Sequence, residues 1–325
     1  MSCRGILPSL LLLLFLGISL PSCAPEESEH REEADAARKP LVMTTFHPTA
    51  YFTERIAGDL VQVECPLPPD TDPAFWTPSR DVIRRYQEAD LIVTNGAGFE
   101  KWIPTVSLPL SRVVETAASF SDRWLRYAHA VTHSHGPGGK HSHEGIDGHT
   151  WIDPIQAGAQ AEAILKALEG LLPDAVPRLR RNFAVLEADL AALDLRLRAA
   201  SEGRTPCLLA SHPAYNYLAR RYGWRMHNLH LEPSEALTPE ALAAVEEALR
   251  TCEKETGVPP RHLLWEAEPL PATRDALRER FGLESVVISP AENVAPEERA
   301  RDEDYLTIMR RNVQRLENIL IRLPK

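Results

Sequence analysis

The sequence predicts an α/β protein of two (β/α) lobes with parallel-type sheets, bridged by one long rigid helix. Three observations carry this. Short apolar runs alternate with helical patterns on both sides of the chain's middle, and such alternation builds parallel sheets covered by helices. Between Asp174 and Ala200, Val176, Leu179, Phe183, Leu186, Leu190, Leu193 and Leu197 recur at spacings of three and four, the mark of one helix about 37 Å long. A length of 325 residues with 44% hydrophobic content suits two domains and a sizeable core.

Taken in order, residues 1–22 read as a lipoprotein signal peptide. Arg4 precedes an apolar stretch from Ile6 to Leu20, too short for the roughly 20 residues of a spanning helix. Leu20-Pro21-Ser22-Cys23 resembles a bacterial lipobox, which makes Cys23 the expected lipidation site. Residues 23–39 are small, acidic and free of aromatics, a disordered tether. The N-terminal lobe spans 40–155. In it Leu41–Phe46 is a buried strand, Tyr51–Ala57 a helix, Val61–Glu64 a strand, Ser79–Ala89 a helix and Leu91–Thr94 a buried strand. A Gly- and His-rich loop at 129–148 breaks the pattern and reads as mobile.

The chain resumes at Asp153-Pro154, an N-cap followed by proline in the first helical turn. Residues 156–203 are helical and contain the bridging helix, although a surface coiled-coil hairpin would show the same periodicity. The C-terminal lobe, 204–325, repeats the theme: strands at Cys207–Ala210, His262–Trp265 and Val286–Ile288, helices at Tyr215–Tyr222, Pro239–Thr251, Ala272–Phe281 and Asp304–Leu323. Of the cysteines, Cys207 and Cys252 share a predicted lobe and are the expected disulfide in an exported chain, with Cys65 left over.

Several function classes are excluded or weakened. A net charge of −10 offers no basic face for nucleic acid. There is no HExxH, no Gly-rich phosphate loop and no CxxCH, and Gly96-Ala97-Gly98 lacks the third glycine of a dinucleotide fingerprint.

Ligand groups gather beyond the carboxyl ends of parallel strands. His47 follows the first strand, His212 follows Cys207–Ala210, Glu266 follows His262–Trp265, and His149 precedes the helix capped by Asp153. Three imidazoles and a carboxylate suit tetrahedral Zn²⁺. His47 is equally a turn residue before Pro48, Glu266 equally a group that orients a ligand histidine, and Glu268 competes with it. In the loop, His133, His135, His141 and His143 form an auxiliary set able to chelate divalent metal without fixed geometry.

TTFHPTAYFTERIAGD, ADLIVTNGAGFEKW, HTWIDP, SHPAYNYLARRYG, Glu232-Pro233-Ser234 and YLTIMRRN, spread over Leu41–Leu323, resemble the zinc/manganese solute-binding lipoproteins of bacterial ABC importers. The resemblance implies two lobes bridged by the long helix, with His149 and His212 at ligand positions. It also implies a histidine where this chain has Ala74 and an aspartate where it has Ser289, which leaves His47 and Glu266 as the expected replacements. The implied function is non-enzymatic: an extracytoplasmic, lipid-anchored monomer that captures Zn²⁺, with Mn²⁺ the alternative, for a permease and its cytoplasmic ATPase. The competing readings are a metal-buffering or degenerate binding lipoprotein and a metal-dependent hydrolase.

Overall fold

Apolar strands that must be covered on both faces nucleate each half of the chain. The computed structural model describes residues 38–323 apart from 70, 128–130, 135–139 and 144. The leader, Cys23, nearly all of the tether, and His135 lie outside the described residues. Pro40–Lys325 forms one compact unit.

The first sheet holds β1 (Leu41–Thr44), β2 (Gln62–Glu64), β3 (Leu91–Thr94) and β4 (Val113–Glu115), all parallel in the order β2-β1-β3-β4. Helix α1 (His47–Ala57) joins β1 to β2, and α2 (Arg80–Glu88) precedes β3. The expected helix from Tyr51 therefore starts four residues earlier. Pro48, with no N–H to lose, fits its first turn, so His47 is the first residue of a helix rather than part of a turn.

Within the segment expected to be an irregular loop, β5 (Val131–Ser134) and β6 (Lys140–His143) pair as an antiparallel ribbon with His133 opposite His141. That corrects the reading of an aperiodic loop: the two arms flank the Gly- and Pro-rich stretch and are long enough to pair. The backbone of His133, His141 and His143 is described, and their side chains are not.

Helix α3 (Pro154–Leu171) opens with Asp153, whose carboxylate accepts from the Ile155 and Gln156 N–H groups. The long helix α4 (Val176–Ser201) has 26 residues, about 39 Å. It buries Leu179, Leu186, Leu190, Leu193 and Leu197 against α1, α3 and a C-terminal helix described below.

The second sheet contains β7 (Cys207–Ala210), β8 (Arg225–Asn228), β9 (His262–Trp265) and β10 (Glu284–Val287), parallel in the order β10-β9-β7-β8. Its helices are α5 (Asn216–Tyr222), α6 (Pro239–Thr256) and α7 (Pro271–Phe281), and α8 (Pro296–Ala300) and α9 (Tyr305–Leu320) close the chain. Cys207 on β7 and Cys252 on α6 form a disulfide with Cα atoms 5.6 Å apart, and Cys65 stands outside it.

One apolar cluster runs through both halves. It joins Val42, Phe52 and Leu91 of the first lobe to α3 and α4, and these to Leu208, Leu264, Tyr305 and Leu316 of the second.

Candidate metal centre

In open parallel sheets the ligand crevice lies where strand order reverses. In the second sheet that point falls between β7 and β9, and the residues just beyond these strands are His212 and Glu266. In the first sheet it falls between β1 and β3, followed by His47 and Asn95.

Asn95 sets the path of the segment that carries His149. Its Nδ2 donates to the carbonyls of Gly96 and Gly148, both at 2.9 Å, while its Oδ1 accepts from Thr150 Oγ1 at 3.1 Å and Gln160 Nε2 at 2.8 Å. Gly148 passes so close to Phe99 that a Cβ would lie 2.9 Å from the Phe99 side chain. Only glycine fits there.

His149 and His212 come together, with ring centroids 5.3 Å apart and both side chains buried. Each meets a carboxylate through Nδ1: His149 reaches Asp147 Oδ1 at 2.8 Å and His212 reaches Glu266 Oε2 at 3.4 Å. Asp147 is itself held by Tyr127 Oη at 3.0 Å and Asn216 Nδ2 at 2.9 Å. At His149 the carboxylate hydrogen-bonded to Nδ1 fixes the tautomer and makes Nε2 the lone-pair nitrogen. Burial alone would push the His149 imidazole down. The hydrogen bond to Asp147 and the charges of Asp147, Glu292 and Asp72 outweigh it, so its pKa is raised.

Glu292 was not foreseen. Its Oε2 lies 4.0 Å from His149 Nε2, and it is placed by a loop whose successive carbonyls are each gripped by a different side chain. Ile288 O accepts from Tyr215 Oη at 2.6 Å, Ser289 O from Asn312 Nδ2 at 2.6 Å, and Pro290 O from Trp151 Nε1 at 2.7 Å. Ala291 O meets His47 Nδ1 at 3.1 Å, and the His47 N–H donates to Glu292 O at 3.3 Å. Ala291 has φ +57°, a left-handed conformation that a non-glycine residue keeps only where its surroundings impose it. The loop is thus built to aim the residue that follows. The strand-end rule does not reach Glu292, because β10 is an edge strand and the residue lies beyond the bend at Ala291.

A cleft of about 280 Å³ is lined by Asp72, Glu266, Ser289, Glu292 and Asn293, among others. Each glutamate on this wall is the partner of one of the two histidines, and with Asp72 they make the cleft acidic, an attraction for cations. Ala74 is buried and shares a cavity of about 20 Å³ with Phe99 and His149, room for about one water. Among the four residues expected at the centre, His149, His212 and Glu266 meet here. His47 lies against the Ala291–Glu292 backbone, and Glu268 pairs with Arg274 at 3.3 Å.

Two parallel βα sheets joined by a long helix, with imidazoles and carboxylates at their strand ends, define a two-lobed binding-protein fold with an acidic cleft. The model of the family described as zinc-uptake complex component A, periplasmic (ZnuA) matches residues 42–319, and the chain belongs to that family. It is 27% identical over 313 residues to the zinc-binding lipoprotein AdcA of Streptococcus pneumoniae, covering 95% of this chain and 60% of that protein. It is 28% identical over 285 residues to the high-affinity zinc uptake system protein ZnuA of Bacillus subtilis, covering 86% and 87%. This chain thus spans about 60% of the length of the AdcA relatives it matches. The fold is that of Zn(II)-bound AdcA from S. pneumoniae, with TM-score 0.74 at 24% identity over 88% of this chain and 59% of that one. It is likewise that of the metal-dependent lipoprotein YcdH from B. subtilis, with TM-score 0.73 at 24% identity over 87% and 100%.

Proposed function

We propose that this chain is the extracytoplasmic zinc-binding component of an ABC importer, a monomer held to the membrane by a lipid on Cys23. It captures Zn²⁺ in the cleft and delivers it to a permease driven by a cytoplasmic ATPase. The observation that carries this reading is the pair of buried imidazoles brought together at the strand ends, each with a carboxylate near its Nδ1. Family membership and the zinc named in the relatives' descriptions support it.

In this reading His149 and His212 bind the ion through Nε2, and Glu292 supplies the carboxylate. Glu266 orients His212 as Asp147 orients His149. His47 acts one step back, holding the loop that carries Glu292. The absence of a histidine at Ala74 leaves a position for water beside His149. Two neutral imidazoles favour Zn²⁺ over Mn²⁺ by ligand softness and by the Irving–Williams order. The histidines of the Gly- and His-rich segment, His133, His135, His141 and His143, gather ions for the cleft.

The test is a zinc and manganese titration of residues 40–325, with and without residues 133–143. One-to-one zinc binding that survives loss of the ribbon, and disappears in His149→Ala and His212→Ala, is expected. Binding that vanishes with the ribbon would assign the metal to the histidine-rich segment and make the protein a metal buffer.

A further inference from the structure

Among the described residues, three side chains of the types that ligate metals converge where β7, β8 and α6 meet, outside the cleft. Cys207 Sγ, Cys252 Sγ and a ring nitrogen of His227 all lie within 4.8 Å of one another. The two sulfurs are bonded to each other, so in this state neither is a ligand.

A further carboxylate, Glu255, joins the group. Cys207 on β7 pairs with Arg225 on β8, and Leu209 with His227. Residues two apart on a strand share a face, so Cys207 and His227 rise from the same side of the sheet. Above them, Cys252 and Glu255 are three residues apart on α6 and share a helix face. Glu255 Oε2 lies 3.6 Å from His227 Nε2, 4.0 Å from Cys207 Sγ and 3.7 Å from Arg225 Nε. A cavity of about 310 Å³, lined by Pro206, Cys207, Arg225, Glu255 and Thr256 among others, opens onto the Cys207 side of the bond. Cys252 is fully buried, so a reagent entering here meets Cys207 first.

We propose that reduction of the Cys207–Cys252 disulfide creates a second metal site, formed by Cys207, Cys252, His227 and Glu255, for a thiophilic divalent cation of the Zn²⁺ type. The reductant is an exported dithiol. One of its thiolates attacks Cys207 Sγ, the S–S bond breaks, and Cys252 leaves as the thiolate. The reductant's second thiol then attacks the mixed disulfide, releases Cys207 and closes the reductant's own disulfide. Two electrons and two protons pass to the cysteine pair, and the metal displaces those protons when it binds.

Two thiolates, an imidazole and a carboxylate are a donor set for tetrahedral zinc, whose ligand atoms stand about 3.5 Å apart. The complex carries one net negative charge, and the Arg225 guanidinium beside Glu255 balances it. This site does not depend on the cleft. The protein's metal capacity then follows the redox state of its surroundings: oxidised, it has no thiolate ligands at this face, and reduced, it holds one ion more.

The experiment uses Co²⁺ as the probe and the full chain carrying Cys3→Ser, Cys23→Ser and Cys65→Ser, so that the remaining thiols belong to the pair. Titration of the reduced protein should give a thiolate-to-cobalt charge-transfer band that saturates at one equivalent and disappears when zinc is added. The oxidised protein should give no such band. His227→Ala and Glu255→Gln should each weaken cobalt binding at least about tenfold. Absence of the band after reduction overturns the proposal, as does a band indifferent to both substitutions. Far-UV circular dichroism of the reduced, metal-loaded protein should match the oxidised one, and a band seen only after that signal is lost also overturns it.

Discussion

The His47 ring, at the start of α1, donates from Nδ1 to the carbonyl of Ala291, 3.1 Å away and 244 residues later in the chain. The first helix of one lobe therefore holds the loop of the other lobe at the residue before Glu292. In the proposed centre such a histidine acts on the ion through Glu292. His47→Ala should weaken zinc binding about 10- to 100-fold, the usual cost of losing an outer-shell partner, without changing the stoichiometry. Competition titration against a zinc chelator measures it. An unchanged affinity would remove His47 from the site, and loss of the bound equivalent would make it a ligand.

The two glutamates of the cleft wall have different neighbours, and this separates their roles. Glu292 faces His149 Nε2 at 4.0 Å, whereas Glu266 sits at His212 Nδ1. In the proposed centre Glu292→Gln removes the charged ligand and should cost more than about 100-fold in zinc affinity, and Glu266→Gln, like His47→Ala, about 10- to 100-fold. The reverse ranking would exchange their assignments.

His149 and His47 should titrate on opposite sides of the ordinary imidazole pKa of about 6.5. Burial favours the neutral form of both, and for His47 it prevails, with the Ala291 carbonyl only partly opposing it. For His149 the Asp147 hydrogen bond and surrounding carboxylates turn the balance upward. The signs follow by linkage. The protonated His149–Asp147 pair stabilises the metal-free protein below pH 6.5, and that contribution fades as pH rises through the folded-state value. His47 costs stability as pH falls from 6.5 through its lowered one. Because zinc needs the neutral ring, affinity should begin to fall above pH 6.5, earlier on acidification than an unperturbed histidine would give. Imidazole NMR titration of the metal-free protein and zinc titration at several pH values test both statements.

The disulfide closes a loop of 45 residues between β7 and α6, worth about 4 kcal/mol on the chain-entropy estimate. Cys207→Ser with Cys252→Ser should lower the stability of the metal-free protein by up to that amount in urea unfolding. Zinc added to the reduced wild-type chain should recover part of the loss, while the double variant should recover none through this face.

What the sequence made legible was set by burial. β1, β3 and β7 are tetrapeptides of at least three apolar residues, buried along their whole length, and the long helix shows its period openly. β8, Arg-Met-His-Asn, has no apolar run and is exposed to intermediate throughout, and β4 has only three residues. Both are edge strands, formed because a buried neighbour offers its backbone. The centre divided in the same way. His149, His212 and Glu266 stand at strand or helix ends and follow from topology. Glu292 follows a bend at Ala291 that no local pattern announces, and its position depends on Tyr215, Asn312, Trp151 and His47, partners distant in sequence.

The apolar cluster that unites Val42, α3, α4, Leu208 and Leu316 has a consequence for how the chain comes apart. Neither sheet owns a complete interior, so separating the halves at the end of α4 would strip both of the surface that buries them. Heating should give one calorimetric transition, and neither fragment alone should fold. The two-sheet plan then unfolds as one unit, and α9 must be in place before the first lobe can finish assembling.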